Sequence, residues 1–275
     1  MRKIAMLLAA ILMLLPLMSA AAEAEADLPF EWAEREDGTL EITRYTGSGE
    51  ALTVPERIGG KPVTAIGRWA FEDHGELKTV VLPEGITAVS AYAFASCSGL
   101  TEVTLPQSLR EIGDCAFLLC TALPALTIPA GVKTVGSNPV AYCTVLTDLT
   151  VAPGNTALRM DDDGALYAGS RLVACLKAMD RTVFQVPAGT RVIGAYAFAG
   201  CKELTAITLP QSLREIREYA FYYCSGLEAL TVPAAVTDIA GTAFFWCSRL
   251  TLRVTPGSAA ERFCLDNGQA FVSDN

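Results

Sequence analysis

The sequence predicts an α/β repeat solenoid, and three observations point to it. Leu77, Leu100, Leu123 and Leu146 stand 23 residues apart, and Leu204, Leu227 and Leu250 repeat that spacing. Each leucine opens a short alternating apolar stretch that ends in proline. A second constant stretch, A-F-x-x-C, follows about ten residues later. A fixed period of this length is typical of stacked structural repeats.

The first half of each unit has the pattern of a half-buried strand. In the unit from residue 100, Val103 and Leu105 alternate with Glu102 and Thr104, the period at which side chains face opposite sides. Pro106 cannot donate to a ladder, so the strand should end there. Stacked units should therefore align these strands as one parallel β-sheet face.

The second half of each unit has the pattern of a tight turn. Phe117 and Cys120 are three residues apart, which places both on one side of a short 3₁₀ or helical return. We expect such turns on the face opposite the sheet. One unit cannot bury its own apolar positions, so stability requires several units. Seven residues fill the large apolar slot: Phe71, Phe94, Phe117, Val140, Phe198, Phe221 and Phe244.

Some segments depart from the repeat. The spacing from Leu146 to Leu204 is 58 residues, 12 more than two periods. Residues 161–164, Asp-Asp-Asp-Gly, separate two apolar stretches and predict a mid-chain β-hairpin insertion, with a further strand at 172–175. The first unit carries IGGKP as an insertion, and the unit of Val140 reads NPVAYC, so its turn should differ locally.

The ends should close the open core. Residues 28–46 predict a hairpin, and Ser258 with Glu261 forms a capping box for a short helix that Gly268 stops. In the last strand Leu252 and Val254 lie one residue out of step, which predicts a slip in register. The expected organisation is a signal peptide 1–22, an N-terminal hairpin cap 23–50, a first repeat block 51–146, an interrupted unit with the insertion 147–182, a second block 183–255 and a C-terminal helical cap 256–275.

The N-terminus predicts export. Arg2 and Lys3 precede an apolar run and the small residues Ala20–Ala22, which are the three parts of a secretory signal peptide. A retained membrane anchor is the alternative, and we expect no membrane span after cleavage. Cleavage after Ala22 would leave 19 basic against 30 acidic residues, a net charge of −11. That charge argues against a nucleic-acid partner.

The strands ending in LP, the Ala65-Ile66-Gly67 step, the A-F-x-x-C turn and the DDDGALY insertion together resemble the BspA-like leucine-rich-repeat family. The resemblance covers roughly residues 28–275. It implies a bacterial exported or cell-surface protein of the kind described as adhesins or as binders of host proteins. It implies a class of function and no particular ligand.

The nine cysteines suggest two interpretations. Six occupy one repeat position, at 97, 120, 143, 201, 224 and 247, and His74 fills that position in the first unit. Metal binding or a disulfide ladder is one interpretation, and a column of buried small side chains is the favoured one. Cys115, Cys175 and Cys264 lie off the column and are expected to be more exposed, with an undetermined redox state. We predict no metal site and no cofactor.

Catalysis is not predicted. His74 is the only histidine, and it falls in a packing position rather than in a Ser-His-Asp arrangement. Asp161, Asp162 and Asp163 could bind Ca²⁺, but a solvated turn is favoured because the ligand spacing of an EF-hand is missing. A hydrolase would need clustered carboxylates in a cleft.

Two surfaces are candidates for binding. The two residues between the slot and the cysteine should point outward, which brings Tyr222, Tyr223, Phe245 and Trp246 together as an aromatic patch. Alternatively these rings lie flat against neighbouring units. The outer side of the sheet face is a threonine-rich strip that includes Thr104, Thr127, Thr208 and Thr231.

The function predicted from these features is an exported module that binds a host or cell-envelope protein, acting in adhesion at the cell surface or in secreted form. The alternative is a carbohydrate-binding protein that uses the aromatic patch to hold a glycan. The oligomeric state and the identity of the ligand do not follow from the sequence.

Overall fold

The computed structural model describes residues 28–176 and 181–273. The predicted signal peptide, residues 1–22, lies outside the described residues. Within those residues the chain winds as a solenoid of short parallel strands with one helix near the C-terminus. The described part of the chain contains no helix with the length and hydropathy to cross a membrane.

In chain order the strands are β1 (Phe30–Glu34), β2 (Leu40–Tyr45), β3 (Ala51–Thr53), β4 (Arg57–Ile58), β5 (Lys61–Ile66), β6 (Thr79–Val81), β7 (Ala88–Val89), β8 (Glu102–Thr104), β9 (Glu111–Ile112), β10 (Ala125–Ile128), β11 (Thr134–Val135), β12 (Asp148–Val151), β13 (Leu158–Met160), β14 (Ala165–Ala168), β15 (Arg171–Cys175), β16 (Val183–Gln185), β17 (Val192–Ile193), β18 (Ala206–Thr208), β19 (Glu215–Ile216), β20 (Ala229–Thr231), β21 (Asp238–Ile239), β22 (Thr251–Val254) and β23 (Phe271–Ser273). The helix is α1 (Ala259–Asn267), between β22 and β23.

The strands that start after the repeated leucines form the strand face. They pair in parallel, as in β6 with β8, where Thr79 faces Glu102 at the expected step of 23 residues. Between β3 and β6 the step is 28, because the first unit contains the IGGKP insertion. That insertion is a hairpin of β4 and β5 whose turn residues, Gly59 and Gly60, both have positive φ angles that glycine adopts without strain.

A second parallel ladder runs beside the strand face, and we call it the corner ladder. It contains β5, β7, β9 and β11 in the first block and β15, β17, β19 and β21 in the second. Most of these strands have two residues, of which one is buried, as with Ile112 in β9. The prediction of a single β-sheet face is therefore wrong. A strand of two residues is too short to show a recognisable alternation of apolar and polar positions in the sequence.

The strand face is not one continuous sheet. The strands β3, β6 and β8 form one sheet, β10 and β12 a second, and β16, β18, β20, β22 and β23 a third. The break between β8 and β10 coincides with Pro124. At this repeat position Thr101 and Thr147 donate their backbone N–H groups to the preceding unit, and proline has none to donate.

The return segments consist of successive tight turns. Bonds between residues three apart close them, such as Ala93 N to Ser90 O and Cys97 N to Phe94 O. The predicted 3₁₀ or helical geometry is interrupted because one residue in each turn is left-handed, as Tyr92 (φ 59°) and Ser96 (φ 60°) are. We call the surface formed by these segments the turn face.

Adjacent turns are joined to one another by backbone hydrogen bonds. Phe71 N donates to Ala93 O at 2.8 Å, and Phe94 N donates to Ala116 O at 2.8 Å. Because the same bond recurs from unit to unit, it fixes the position of each turn relative to the next. The turn face is thus as regular as the two ladders.

The core is organised around a column of phenylalanine rings from the repeated slot. Phe71 and Phe94 stack at 4.8 Å between ring centroids, and Phe94 and Phe117 stack at 5.2 Å with nearly parallel planes. The column continues in the second block from Phe198 to Phe244. At the N-terminal end Tyr45 of β2 packs on Phe71 at 5.4 Å, so the antiparallel β1–β2 pair covers the first ring.

The C-terminal end of the core is covered by α1. Phe263 of α1 meets Phe244 edge-on at 5.7 Å. Ser258 caps the helix by accepting from Glu261 N, and Gly268 ends it with a φ of 66°. The predicted slip in register is confirmed, because Ala229 faces Thr251 at a step of 22 residues and Leu252 and Val254 are both buried.

Between the two blocks the chain forms an antiparallel set of three strands, β13, β14 and β15. Both sides of β14 are buried, and they serve different cores. Leu166 packs with the core of the first block, whereas Tyr167 packs with the core of the second. This three-stranded segment therefore lies between the two blocks and contributes side chains to both cores.

Two side chains connect the blocks across this segment. Arg171 extends the corner ladder by donating to Val135 O and Gly136 O, and its burial lowers the pKa of the guanidinium. On the turn face Asn138 Nδ2 donates to Tyr196 O at 2.9 Å, although the two residues are 58 positions apart. The turn face is therefore continuous from the first block to the second.

Candidate functional site

The predicted aromatic patch lies on the turn face of the last two units. Phe245 is 47% exposed and Trp246 65% exposed, whereas Tyr222 and Tyr223 are half-buried. The Trp246 ring lies 5.9 Å from Tyr223 and 6.3 Å from Tyr222. The structure thus brings all four predicted residues into one cluster whose outer rings face solvent.

The prediction that both residues of every turn pair point outward is wrong where the first residue is alanine. Ala95, Ala141 and Ala199 are buried at this position, at 3%, 1% and 7% exposure. A methyl group fits under the turn, whereas a ring at the same position must project beyond it. This size limit explains why Phe245 is exposed.

The patch extends to a residue that the sequence prediction missed. Tyr219 meets Phe245 edge-on at 5.9 Å and Tyr222 at 5.6 Å. Tyr219 belongs to a repeat position just before the A-F pair, which we call the aromatic column. Its ring-bearing members are Trp69, Tyr92, Tyr196 and Tyr219. The signal was present in the sequence as a tyrosine or tryptophan recurring before A-F.

Left-handed backbone holds these rings on the surface. Tyr219 has a φ of 55°, Tyr223 of 60° and Trp246 of 65°. A side chain in this region costs roughly 1 kcal/mol of strain, so other bonds must hold the backbone there. For Tyr223 one such bond is from its N–H to Phe245 O, at 3.0 Å.

Basic side chains lie over several of these rings. The Lys202 ammonium is 4.8 Å from the centre of the Tyr223 ring, and the Arg68 guanidinium is 4.1 Å from that of Trp69. Cation–π contacts of this kind contribute about 0.5–1 kcal/mol at exposed sites. They also place positive charge beside these rings, in a chain whose net charge is −9.

The threonine strip is exposed but divided. Thr104, Thr127, Thr208 and Thr231 all face solvent. Thr104 lies in the β3–β6–β8 sheet, Thr127 in the β10–β12 sheet and the other two in the sheet that begins with β16. Since the strip crosses two breaks, it offers a less uniform surface than the turn face does.

The repeated cysteines form a column of buried thiols. Cys97 Sγ donates to Phe71 O at 3.0 Å, and Cys120 Sγ to Phe94 O at 3.2 Å. The same contact recurs at Cys143, Cys224 and Cys247. In five of the six column positions the thiol therefore satisfies a carbonyl of the preceding turn. In the first unit His74 substitutes for the thiol, with Nε2 3.1 Å from Tyr45 O.

The off-column cysteines are not exposed, contrary to the sequence prediction. Cys115 and Cys264 are each 1% exposed and Cys175 is 4% exposed. None of the nine cysteines forms a disulfide, so the column is not a disulfide ladder. Burial raises the pKa of Cys97, Cys115 and Cys201 to about 12, which keeps these thiols protonated.

We expect none of the nine thiols to react quickly with Ellman's reagent in the native protein at pH 8. Burial blocks access to all nine thiols, and a pKa of about 12 also leaves Cys97, Cys115 and Cys201 with a thiolate fraction of roughly 10⁻⁴ at that pH. All nine should react after unfolding in guanidinium chloride. Stopped-flow absorbance at 412 nm measures both. A thiol that reacts within seconds in the native protein would contradict this burial.

Family comparison supports the same architecture. The model of a BspA type leucine rich repeat region matches the chain in six copies, over residues 52–161 and 174–261, which is more than half of its length. The chain belongs to the BspA-type leucine-rich-repeat family. A search of curated proteins found no match.

Solved structures resemble this BspA-type chain over most of its length. A leucine-rich repeat protein from Eubacterium ventriosum matches 90% of this chain and 77% of its own, with a TM-score of 0.62 and 20% identity. A leucine rich cell surface protein from Faecalibacterium prausnitzii matches 90% of this chain and 93% of its own, with a TM-score of 0.56 and 20% identity. At this identity the likeness concerns the fold.

In this BspA-type protein the acidic loop of residues 161–163 stabilises the local fold. Asp161 Oδ1 accepts from Ala165 N at 2.8 Å, which tightens the β13–β14 turn, and Asp163 pairs with Arg181 at 2.6 Å. Among the described residues no group of three or more His, Cys, Asp or Glu side chains is placed to hold a metal ion.

The carboxyl groups with shifted pKa values all shift downward in the described part of the chain. Hydrogen bonds from Thr39, His74 and Gln107 lower the pKa of Asp37, Glu76 and Glu84, respectively. These three carboxyls lie in different units. A general acid needs a raised pKa in a cleft, so none of the three has the character of one.

Proposed function

We propose that this protein is an exported module that binds a protein partner through the turn face of its last units. One observation carries the proposal, namely the exposure of Phe245 and Trp246 in direct contact with Tyr219, Tyr222 and Tyr223. Clustered exposed aromatic rings are enriched at the centres of protein interfaces, where they supply most of the binding energy.

The rigidity of the cluster supports this role. Left-handed backbone and neighbouring rings already hold Trp246 and Tyr223 in place, so little side-chain freedom remains to be lost on binding. Preorganised rings of this kind raise affinity by lowering the entropic cost of association. The net charge of −9 favours a partner with a basic rim around its contact surface.

Placement outside the cell is part of the proposal. The basic and apolar sequence of residues 1–22 favours export. The Faecalibacterium protein that shares the fold is described as a cell surface protein. The partner is then a host protein or a protein of the cell envelope, and the biological role is adhesion.

We expect the Phe245→Ala/Trp246→Ala double variant to lose partner affinity by about 100-fold or more, because both rings would be central anchors. Wild-type protein on beads would capture extracellular and envelope proteins, which mass spectrometry identifies. The affinity of each captured protein for the wild type and for the variants is then measured by biolayer interferometry. The Thr127→Ala/Thr208→Ala double variant is the matched control on the strand face, and its affinity should be unchanged.

Two outcomes would overturn the proposal as stated. If wild type and the Phe245→Ala/Trp246→Ala variant bind the partner with equal affinity, the turn face is not the contact surface. Loss of affinity in the Thr127→Ala/Thr208→Ala variant alone would assign binding to the strand face. A glycan array tests the carbohydrate alternative, which requires a glycan signal that Trp246→Ala abolishes.

A further inference from the structure

The aromatic column of the turn face is interrupted in the middle of the molecule. Trp69 and Tyr92 stack at 5.8 Å in the first block, and Tyr196 and Tyr219 stack at 5.1 Å in the second. Two units lie between these pairs, and they carry Cys115 and the pair Asn138–Pro139 instead of a ring followed by alanine. Two positions of the aromatic column therefore carry no ring.

The interruption is an open slot of about 390 Å³. Tyr92 lies on the side of the first block and Tyr196 on the side of the second, with the buried Cys115 between them. Tyr142 and Leu118 complete the walls. A volume of this size lies within the range of pockets that hold small ligands or a large side chain.

Local chemistry explains why the slot stays open. A residue before proline is restricted to extended backbone, so Asn138 does not share the left-handed conformation of the other column members. Its side chain turns to the neighbouring unit and donates to Tyr196 O. Cys115 keeps the column geometry, with a φ of 50°, but its side chain carries no ring and instead forms a hydrogen bond with the Tyr92 hydroxyl.

The lining selects a flat and uncharged occupant. It consists of five tyrosines, two leucines and one cysteine, and it includes no lysine, arginine, carboxylate or amide side chain. A sugar ring would need several such groups to bind its hydroxyls, and an ion would need a counter-charge. An inserted aromatic ring could instead pack against Tyr92 or Tyr196, as the column residues already pack on one another.

Aromatic rings, rather than a hydrogen-bonding group, determine what the slot would hold. The Tyr142 hydroxyl makes no hydrogen bond to any described residue, but it is enclosed by the protein and is not open to the slot. The five tyrosine rings of the lining favour an aromatic occupant over an aliphatic one, because paired rings gain more than their apolar burial alone.

We propose that this slot receives an aromatic side chain of the protein partner, which completes the interrupted column. The inference rests on the proposed function, since it names what the partner inserts. The slot is continuous with the aromatic patch, because Tyr222 lines the slot and also contacts Trp246.

The test uses N-acetyl-tryptophanamide as a probe and saturation-transfer NMR as the readout. Wild-type protein should transfer saturation to the indole protons, with a Kd on the order of a millimolar for so small a ligand. The Cys115→Tyr variant should lose this transfer at least tenfold, because it places the column's own ring in the slot. The backbone there already has the conformation of Tyr92 and Tyr219, so the variant should fold.

Cys115→Ser is the matched control, since it leaves the slot open and should keep the transfer of the wild type. N-acetyl-leucinamide and methyl glucoside should show at least tenfold weaker transfer than the indole probe. Equal transfer in wild type and Cys115→Tyr overturns the slot as an aromatic site, and so does equal binding of the leucine or sugar probe. The unfolding midpoint of Cys115→Tyr, measured by circular dichroism, verifies that it is folded.

The proposed function and the slot fail in different ways. If a captured partner loses affinity with the Phe245→Ala/Trp246→Ala variant but binds Cys115→Tyr as tightly as wild type, the slot proposal is wrong and the proposed function stands. The opposite result is that the partner binds the Phe245→Ala/Trp246→Ala variant as tightly as wild type, while the indole probe binds wild type and not Cys115→Tyr. The slot is then an aromatic site, and the aromatic patch is not the contact surface.

Discussion

Phe117→Ala should destabilise the protein by about 3–5 kcal/mol, the range expected when a fully buried phenylalanine is cut to alanine. Phe117 has no exposed surface, and its ring stacks on Phe94 at 5.2 Å. The substitution removes apolar burial and leaves a cavity that two rigid neighbouring turns cannot close. Urea unfolding followed by circular dichroism measures the change.

The size of this effect follows from how the turns are fixed. Phe117 N donates to Pro139 O, and its carbonyl accepts from the thiol of Cys143. Both bonds remain in the variant, so the backbone cannot collapse into the space that the ring leaves. Phe117→Leu is the matched control and should cost only about 1–2 kcal/mol, because most of the volume is kept. Equal small losses for both variants would show that the column adds little to stability.

Because the protein has two hydrophobic cores, the Phe117→Ala substitution should destabilise one block more than the other. Phe117 belongs to the core of the first block, and Phe221 occupies the same slot in the core of the second. Solenoids behave as neighbouring units with interface energies, so a weakened block can unfold before the other. We expect the Phe117→Ala variant to show a first transition at lower urea, with the second block retaining its signal.

Much of the fold follows from the 23-residue period, because burial dictates it. Leu123, Ile128 and Phe117 occupy positions that must be buried for any unit to be stable, and the sequence marks them by repetition. The slip at Leu252 could be predicted for the same reason. Buried apolar positions are the strongest signal that a single sequence carries.

The corner ladder could not be predicted in this way. Glu111 and Ile112 contribute one exposed and one buried residue, and no alternation can be recognised over two positions. The ladder exists because backbone groups of stacked units meet there, as Gly113 N meets Val89 O at 2.7 Å. Such pairing depends on the stacking itself rather than on side-chain pattern.

The candidate site was predictable in composition but not in geometry. The sequence predicts Phe245 and Trp246, because theirs and the Tyr222–Tyr223 pair are the two turn pairs in which both residues carry rings. Tyr219 and Tyr196 escape prediction because the residues before A-F vary from unit to unit, as Tyr219, Cys115 and Thr242 show at one repeat position. Their exposure depends on left-handed backbone, which tyrosine rarely adopts and a sequence pattern does not reveal.

Gly113→Ala should destabilise the protein by about 2–3 kcal/mol, through crowding of backbone by backbone rather than through lost burial. A Cβ at this position would lie 2.4 Å from Ala91 N and 2.6 Å from the Ser90 carbonyl carbon. No rotamer change can relieve contacts with main-chain atoms. The neighbouring units would have to separate, which lengthens the bond from Gly113 N to Val89 O.

The matched control is Ser90→Ala, one unit earlier at the same repeat position. Ser90 already carries a Cβ, so this change should alter stability by less than about 1 kcal/mol. Thermal and urea unfolding of both variants beside the wild type measure the difference. A Gly113→Ala variant as stable as Ser90→Ala would mean that the units can part locally at no cost. The corner ladder would then contribute little to holding the blocks together, and the stability would reside in the phenylalanine column and the turn face.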